Sequence, residues 1–170
     1  MASPSLDPAR WPLSPEGRAA ARRTGRRLPA GALVLSSAEV KAVETAQLAT
    51  GAAPVLDDRF GEVRRPGEPF DSQVRARRRA WVGGTPDARH RGWESLSAAG
   101  TRFDQAVREH LAGCDGDLVI AAHGMVITAW LVVTDRLEAG EEAACFWEGL
   151  CFPDLLGAEV EAGRAPGQNG

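Results

Sequence analysis

An α/β sandwich with a mainly parallel sheet is the fold class this sequence predicts, on three observations. Two short apolar runs of buried-strand type, Ala32-Leu33-Val34-Leu35 and Asp117-Leu118-Val119-Ile120-Ala121-Ala122, stand far apart in the chain. Each is followed within a few residues by a helical pattern, the order that crossover helices of a parallel sheet require. The length of 170 residues suits one domain with a full hydrophobic core, set at residues 1–161, with 162–170 expected as a flexible tail.

The elements follow in chain order. Residues 1–13 read as a loop broken by Pro4, Pro8 and Pro12. Ser14-Pro15-Glu16 is a helix start: a capping hydroxyl, a proline whose missing N–H costs nothing there, and an acid in the first turn. That helix should run to about Leu28, with Arg18, Arg22, Arg23, Arg26 and Arg27 on a solvated face. After the first strand come Ser36-Ser37 and a helix from about Ala38 to Thr50, closed by Gly51. Val55-Leu56 is a second short strand candidate, 57–70 a loop, 71–81 a very basic helix and 82–93 another loop. Ala99, Phe103, Ala106, Val107, His110 and Leu111 recur at helical spacing and predict a long amphipathic helix from Glu94 to Ala112. The second strand ends at His123-Gly124, and Met125 to Val133 reads as a buried helix. Phe146, Trp147 and Leu150 are expected on the core, and Leu155 to Val160 is a candidate last strand.

Composition narrows the function classes. Hydrophobic residues are 44% and charged residues 25%, so the chain is neither disordered nor collagen-like. No apolar run reaches the roughly 20 residues of a membrane-spanning helix, and Met1 to Pro8 lacks the features of a signal peptide. Three cysteines, odd in number and without metal-type spacing, fit a reducing cytoplasm and no metal. The net charge of −3 argues against a general nucleic-acid binder. Only one of the 20 basic residues is a lysine, Lys41.

In open α/β sheets ligands collect where strands end and helices begin, because free N–H groups and positive dipole ends favour anions there. Two such junctions carry a cationic or potentially cationic group. Lys41 lies in the first turn of a helix, where a cation opposes the macrodipole at a cost of about 0.3–1 kcal/mol that an anionic ligand would reverse. A surface lysine paired with Glu44 is the alternative. His123 is delivered by an apolar strand to a turn, and Gly124 would let backbone approach a ligand; the alternative is a core histidine bonded to a carbonyl. Glu62, in a loop among arginines, could act as a general acid, or form an exposed ion pair. Arg75, Arg77, Arg78 and Arg79 form a basic run that reads first as a solvated helix face and second as a contact for phosphates or an acidic partner. His90 and His110 read as surface or half-buried.

The ordered motifs resemble the histidine phosphatase superfamily, the phosphoglycerate-mutase-like phosphohydrolases. Trp11-Pro12-Leu13-Ser14-Pro15-Glu16-Gly17-Arg18 is similar to the family's PLS-x-x-G helix start. Ser36-Ser37-Ala38-Glu39-Val40-Lys41-Ala42-Val43-Glu44-Thr45-Ala46 is similar to its SS-x-x-x-R-x-x-x-TA phosphate-site helix, with Lys41 where arginine is commoner. Val119 to Gly124 is similar to its second His-Gly motif, and Phe146-Trp147 through Leu155 to the tail of one bacterial subgroup. The resemblance implies a three-layer α/β/α sandwich and phosphomonoester hydrolysis through a phosphohistidine. It implies that Lys41, His123 and Gly124 bind the phosphoryl group and that Glu62 protonates the leaving oxygen. A small phosphorylated substrate or ligand is then the expected partner, with no cofactor, metal, nucleic acid or membrane.

One departure qualifies that expectation. The family's nucleophile is a histidine in an Arg-His-Gly motif at the end of the first, central strand; family spacing sets it at Met1, with Ala2 at the glycine and Asp7 where an asparagine contacts phosphate. An upstream start codon or a real truncation would each account for this. As the sequence stands, the first central strand is expected to be missing and hydrolysis to be weak or absent. A phospholigand-binding module without turnover and a protein-interaction module using residues 75–79 are the alternatives.

Overall fold

In the computed structural model, which describes residues 8–87 and 92–160, strand β1 (Leu33–Ser36) lies between β2 (Val55–Leu56) and β3 (Leu118–Ala121). The three strands form a parallel sheet of order β2-β1-β3. Met1, Ala2, Asp7, His90 and the expected tail at 162–170 lie outside the described residues, as do Arg91 and position 161.

Register sorts the side chains into layers. Leu33 faces Leu118 and Leu35 faces Ile120 across the ladder, and alternate residues of a strand share a face. These four apolar side chains pack into the core with Phe103 and Val107 of α4 (Leu96–Ala112) and Met125, Val126 and Ala129 of α5 (Gly124–Val133). The opposite face carries Val34, Ser36, Val119 and Ala121. Over it lies α2 (Val40–Thr50), which touches β1 and β3 and packs in turn on α1 (Pro15–Thr24). Helices α3 (Val74–Val82) and α6 (Glu141–Gly149) pack on each other and on α5. The result is an α/β/α arrangement around a small parallel sheet. Among the described residues no strand precedes α1, and β3 is an edge of the sheet.

Several expected boundaries shift for local reasons. Ser14 caps α1 as expected, its Oγ accepting the Gly17 N–H at 3.1 Å, but the helix ends at Thr24 and tightens into a 3-10 turn over Gly25–Arg27. Gly25 marks the change because a Cβ there would lie 1.9 Å from the Ala49 carbonyl oxygen of α2. Helix α2 starts at Val40 and closes on Gly51, whose φ of 76° is left-handed. Leu155 to Val160 forms no strand, and α6 emerges from a stretch in which Ala143 and Ala144 are fully buried. Trp147 packs against the core, whereas Leu150 lies only partly buried beyond it.

The basic helix is α3, and its arginines are not a solvated face. Arg78 pairs with Glu68 at 2.7 Å, Arg77 with Asp71 at 2.8 Å, and Arg79 with Glu148 at 2.9 Å and also with Glu141. The Arg75 guanidinium stacks over the Trp147 ring, 5.4 Å from its centroid. These contacts fasten α3 to α6 and to the preceding loop, so the guanidinium groups serve their own chain.

Two packing devices set the site-bearing segments. Arg102 of α4 donates to the carbonyls of Arg59, Gly61 and Glu62 at 2.6, 3.0 and 3.2 Å, and pairs with Glu94 at 2.7 Å. Asp57 binds Arg59 at 2.8 Å and His110 at 3.0 Å, tying the same loop to α4. The Arg59 guanidinium is the main reason the Asp57 carboxyl is held far below the usual carboxylate range; burial opposes this, and the Arg59 N–H and His110 assist it. Helices α4 and α5 meet closely at Gly100, where a Cβ would lie 2.5 Å from the Ala129 carbonyl oxygen and 2.7 Å from Val133.

Two outcomes follow. Gly100→Ala should destabilise the protein by about 1–3 kcal/mol, because overpacking forces α5 away; an unchanged denaturation midpoint would show that the helices tolerate the methyl group. Asp57 has a depressed folded pKa, so its stabilisation is complete above the unfolded value of about 3.9 and is lost as pH falls below it. Asp57→Asn should therefore lower stability at pH 7 by about 1–3 kcal/mol and flatten the acid limb of the stability curve. Parallel curves for the two proteins between pH 7 and pH 3 would contradict this.

Candidate functional site

The end of β1, the start of α2, the loop after β2 and the start of α5 meet around the Glu39 carboxylate. Ser36 and Ser37 are fully buried at the strand end, where the Ser37 N–H donates to the Ala121 carbonyl of β3 at 3.0 Å. That bond aligns the two parallel strand ends and brings Ser37 beside His123. His123 Nε2 lies 2.9 Å from Ser37 Oγ and 3.2 Å from Glu39 Oε1. Glu39 Oε1 also accepts the Glu62 backbone N–H at 3.0 Å, and Oε2 takes the Lys41 ammonium at 2.6 Å.

Lys41 is the second residue of α2, so its charge stands at the positive end of the helix dipole as expected. Its partner differs from expectation. Glu44 turns to α1, accepting the Leu13 N–H at 2.7 Å and pairing with Arg18 at 2.9 Å, and Lys41 pairs with Glu39. The sequence motif contained Glu39 and Ser37 without assigning either a role. An acid two residues before the lone lysine, at a helix start, was the available signal.

Glu62 is neither exposed nor free. Its Oε1 accepts the N–H groups of Val63 at 2.9 Å and Val126 at 3.1 Å, and its Oε2 that of Met125 at 3.4 Å. A carboxylate thus occupies the positive end of α5, where unpaired amides need acceptors. Arg65, another residue without a role in the sequence reading, stands 4.0 Å from it and pairs with Glu68 at 3.0 Å. Gly124 opens α5. A Cβ there would meet Phe152 at 2.8 Å and the side chains of Leu150 and Trp147 at 3.3 Å, so its smallness admits the segment after α6.

Electrostatics divide the pair at the centre. Burial dominates at His123, which is 6% exposed, and pushes its imidazole below the usual range against the pull of Glu62 and Glu39. Burial also opposes the charge on Glu39. His123, the Lys41 ammonium and the Glu62 N–H outweigh it and hold that carboxyl below its usual value. An ionised Glu39 and a neutral imidazole are the states these surroundings favour near pH 7.

A cavity of about 180 Å³ adjoins the cluster, lined by Ala9, Ser37, Ala38, Glu39, Asp58 and Gly61. Lys41 and His123 do not line it; Lys41 contacts Glu39, and His123 contacts Glu39 and Ser37, which do. Among the described residues no group of three or more His, Cys, Asp or Glu side chains could hold a metal ion, and no helix is long and apolar enough to cross a membrane. His110 is engaged elsewhere, on Asp57. An ammonium, an imidazole nitrogen and a backbone N–H thus converge on the two oxygens of the Glu39 carboxylate.

Comparison with known proteins agrees with this architecture. Bacillus stearothermophilus YhfR is 25% identical with a TM-score of 0.62, over 79% of this chain and 72% of its own. TTHB049 from Thermus thermophilus is 31% identical with a TM-score of 0.51, over 76% of this chain and 71% of its own. The mycobacterial glucosyl-3-phosphoglycerate phosphatase Rv2419c shares the fold at 24% identity and a TM-score of 0.60, over 81% of this chain and 73% of its own. No curated protein sequence matches the chain. The model of the histidine phosphatase superfamily, branch 1, matches residues 8–142, and with that match the chain belongs to this superfamily.

Proposed function

We propose that the site binds the phosphoryl group of a small phosphorylated molecule, with Lys41 and His123 on its oxygens and the Gly124 end of α5 beside it. The observation that carries this reading is the convergence of the Lys41 ammonium, the His123 imidazole and the Glu62 N–H on one carboxylate, an anion of the same hydrogen-bonding type as a phosphoryl group. Superfamily membership supports phosphomonoesters as the ligand class.

In the chemistry that membership implies, a histidine accepts the phosphoryl group and a carboxylic acid protonates the leaving oxygen. Glu62 is the acid we assign to that step, on its position at the start of α5 beside His123. His123 is assigned to the phosphoryl oxygens and the charge they develop. The other histidines of the sequence are His90 and His110, and neither precedes the Pro12-Leu13-Ser14 segment. Loss of a nucleophile can lower turnover by on the order of a million-fold. Where no histidine stands before that segment, phosphate monoesters should bind without appreciable hydrolysis.

Two measurements test this reading. In calorimetric titration with inorganic phosphate, Lys41→Ala should weaken binding about tenfold, ~1.4 kcal/mol, while Arg79→Ala, in the clamp between α3 and α6, should leave it unchanged. Equal affinities for Lys41→Ala and the parent chain would remove Lys41 from the site. With p-nitrophenyl phosphate as substrate, the chain should release no more product than buffer. Turnover accompanied by a phosphoryl group trapped covalently on His123 would instead make His123 the nucleophile.

A further inference from the structure

The Glu39 carboxylate holds the groups that a phosphoryl oxygen would need. Its two oxygens take the Lys41 ammonium at 2.6 Å, the Glu62 N–H at 3.0 Å and His123 Nε2 at 3.2 Å. Carboxylate and phosphoryl oxygens are both acceptor-only and negative, so they compete for the single N–H groups of Glu62 and His123, although the Lys41 ammonium has three. Bringing a dianion beside an ionised Glu39 would also set like charges in contact.

Glu39 is free of a capping duty and has an exit for an exchange. It is the residue before α2, with extended backbone (φ −69°, ψ 135°), and its side chain makes no capping bond to the helix it precedes. Ser37 Oγ already takes the Glu39 backbone N–H, at 3.2 Å. The carboxylate is therefore spare as a structural cap. Its side chain is 17% exposed and lines the adjoining cavity, so rotation toward that space would move the charge into solvent.

We propose that Glu39 is an intramolecular competitor for the phosphoryl site, which a ligand occupies only by displacing its carboxylate from Lys41 and His123. This inference rests on the phosphoryl-binding reading above. It makes Glu39 a residue that sets specificity: a dianionic phosphate monoester, which brings more charge than the carboxylate it replaces, displaces Glu39 more readily than a monoanion does. A site occupied by its own acid shows an apparent affinity reduced by the fraction of molecules in which that acid is away.

The test is calorimetric titration of the parent chain, Glu39→Gln and Glu39→Ala with inorganic phosphate. Both variants should bind about tenfold more tightly, the size expected when a charge-assisted competitor is removed. Equal or weaker binding by both would overturn the inference and leave Glu39 as a support for Lys41. Absence of binding by all three proteins at millimolar phosphate would defeat the phosphoryl-binding reading itself, and the inference with it. A second measurement separates the two. Without phosphate, Glu62, Lys41 and Arg65 also face the His123 ring. Glu39→Gln should nevertheless lower the pKa of the imidazole followed by NMR, because a carboxylate that favours its charged form is gone. An unchanged value would mean that Glu39 does not touch the ring in solution, and would overturn the inference alone.

Discussion

A lysine at the start of a helix and a histidine at the start of another place two potential positive charges against the positive ends of two helix dipoles. The Glu39 and Glu62 carboxylates resolve that conflict. Glu62 supplies acceptors to the first amides of α5, while Glu39 takes the Lys41 ammonium and reaches His123. Burial drives the imidazole toward its neutral form.

The scaffold fixes the relative position of these groups through backbone contacts. The Ser37 N–H to Ala121 carbonyl bond sets where β1 ends relative to β3, and so where Ser37 stands relative to His123. Arg102 clamps three carbonyls of one loop, those of Arg59, Gly61 and Glu62, and so determines where the Glu62 N–H points. Gly100 lets α4 approach α5, whose first residue follows His123. Two of these contacts hold the backbone of cluster residues, Ser37 and Glu62, and the third sets the helix that begins beside His123.

Much of the fold was legible because it follows from local rules. The Ser14-Pro15 start of α1, the Gly51 stop of α2 and the apolar periodicity of α4 all express short-range geometry. The failures have long-range causes. Helix α1 tightens at Gly25 because α2 presses on it, and Leu155 to Val160 finds no strand partner. The arginines of α3 looked solvated because their acidic partners, Glu141 and Glu148, lie in a helix that packs on α3 only in the folded chain. The positions of Lys41 and His123 at strand–helix junctions, and of Glu62 in a loop beside arginine, were legible from local sequence. The pairing of Lys41 with Glu39 was not, since Glu44 is one helical turn away and equally plausible until α1 claims it through Arg18.

A crystal structure grown in inorganic phosphate tests the central claim most directly. The account predicts one phosphate ion within hydrogen-bond distance of Lys41 Nζ and His123 Nε2, with the Glu39 carboxylate turned away from both. A phosphate ion bound elsewhere, with Glu39 still holding Lys41 and His123, would contradict it.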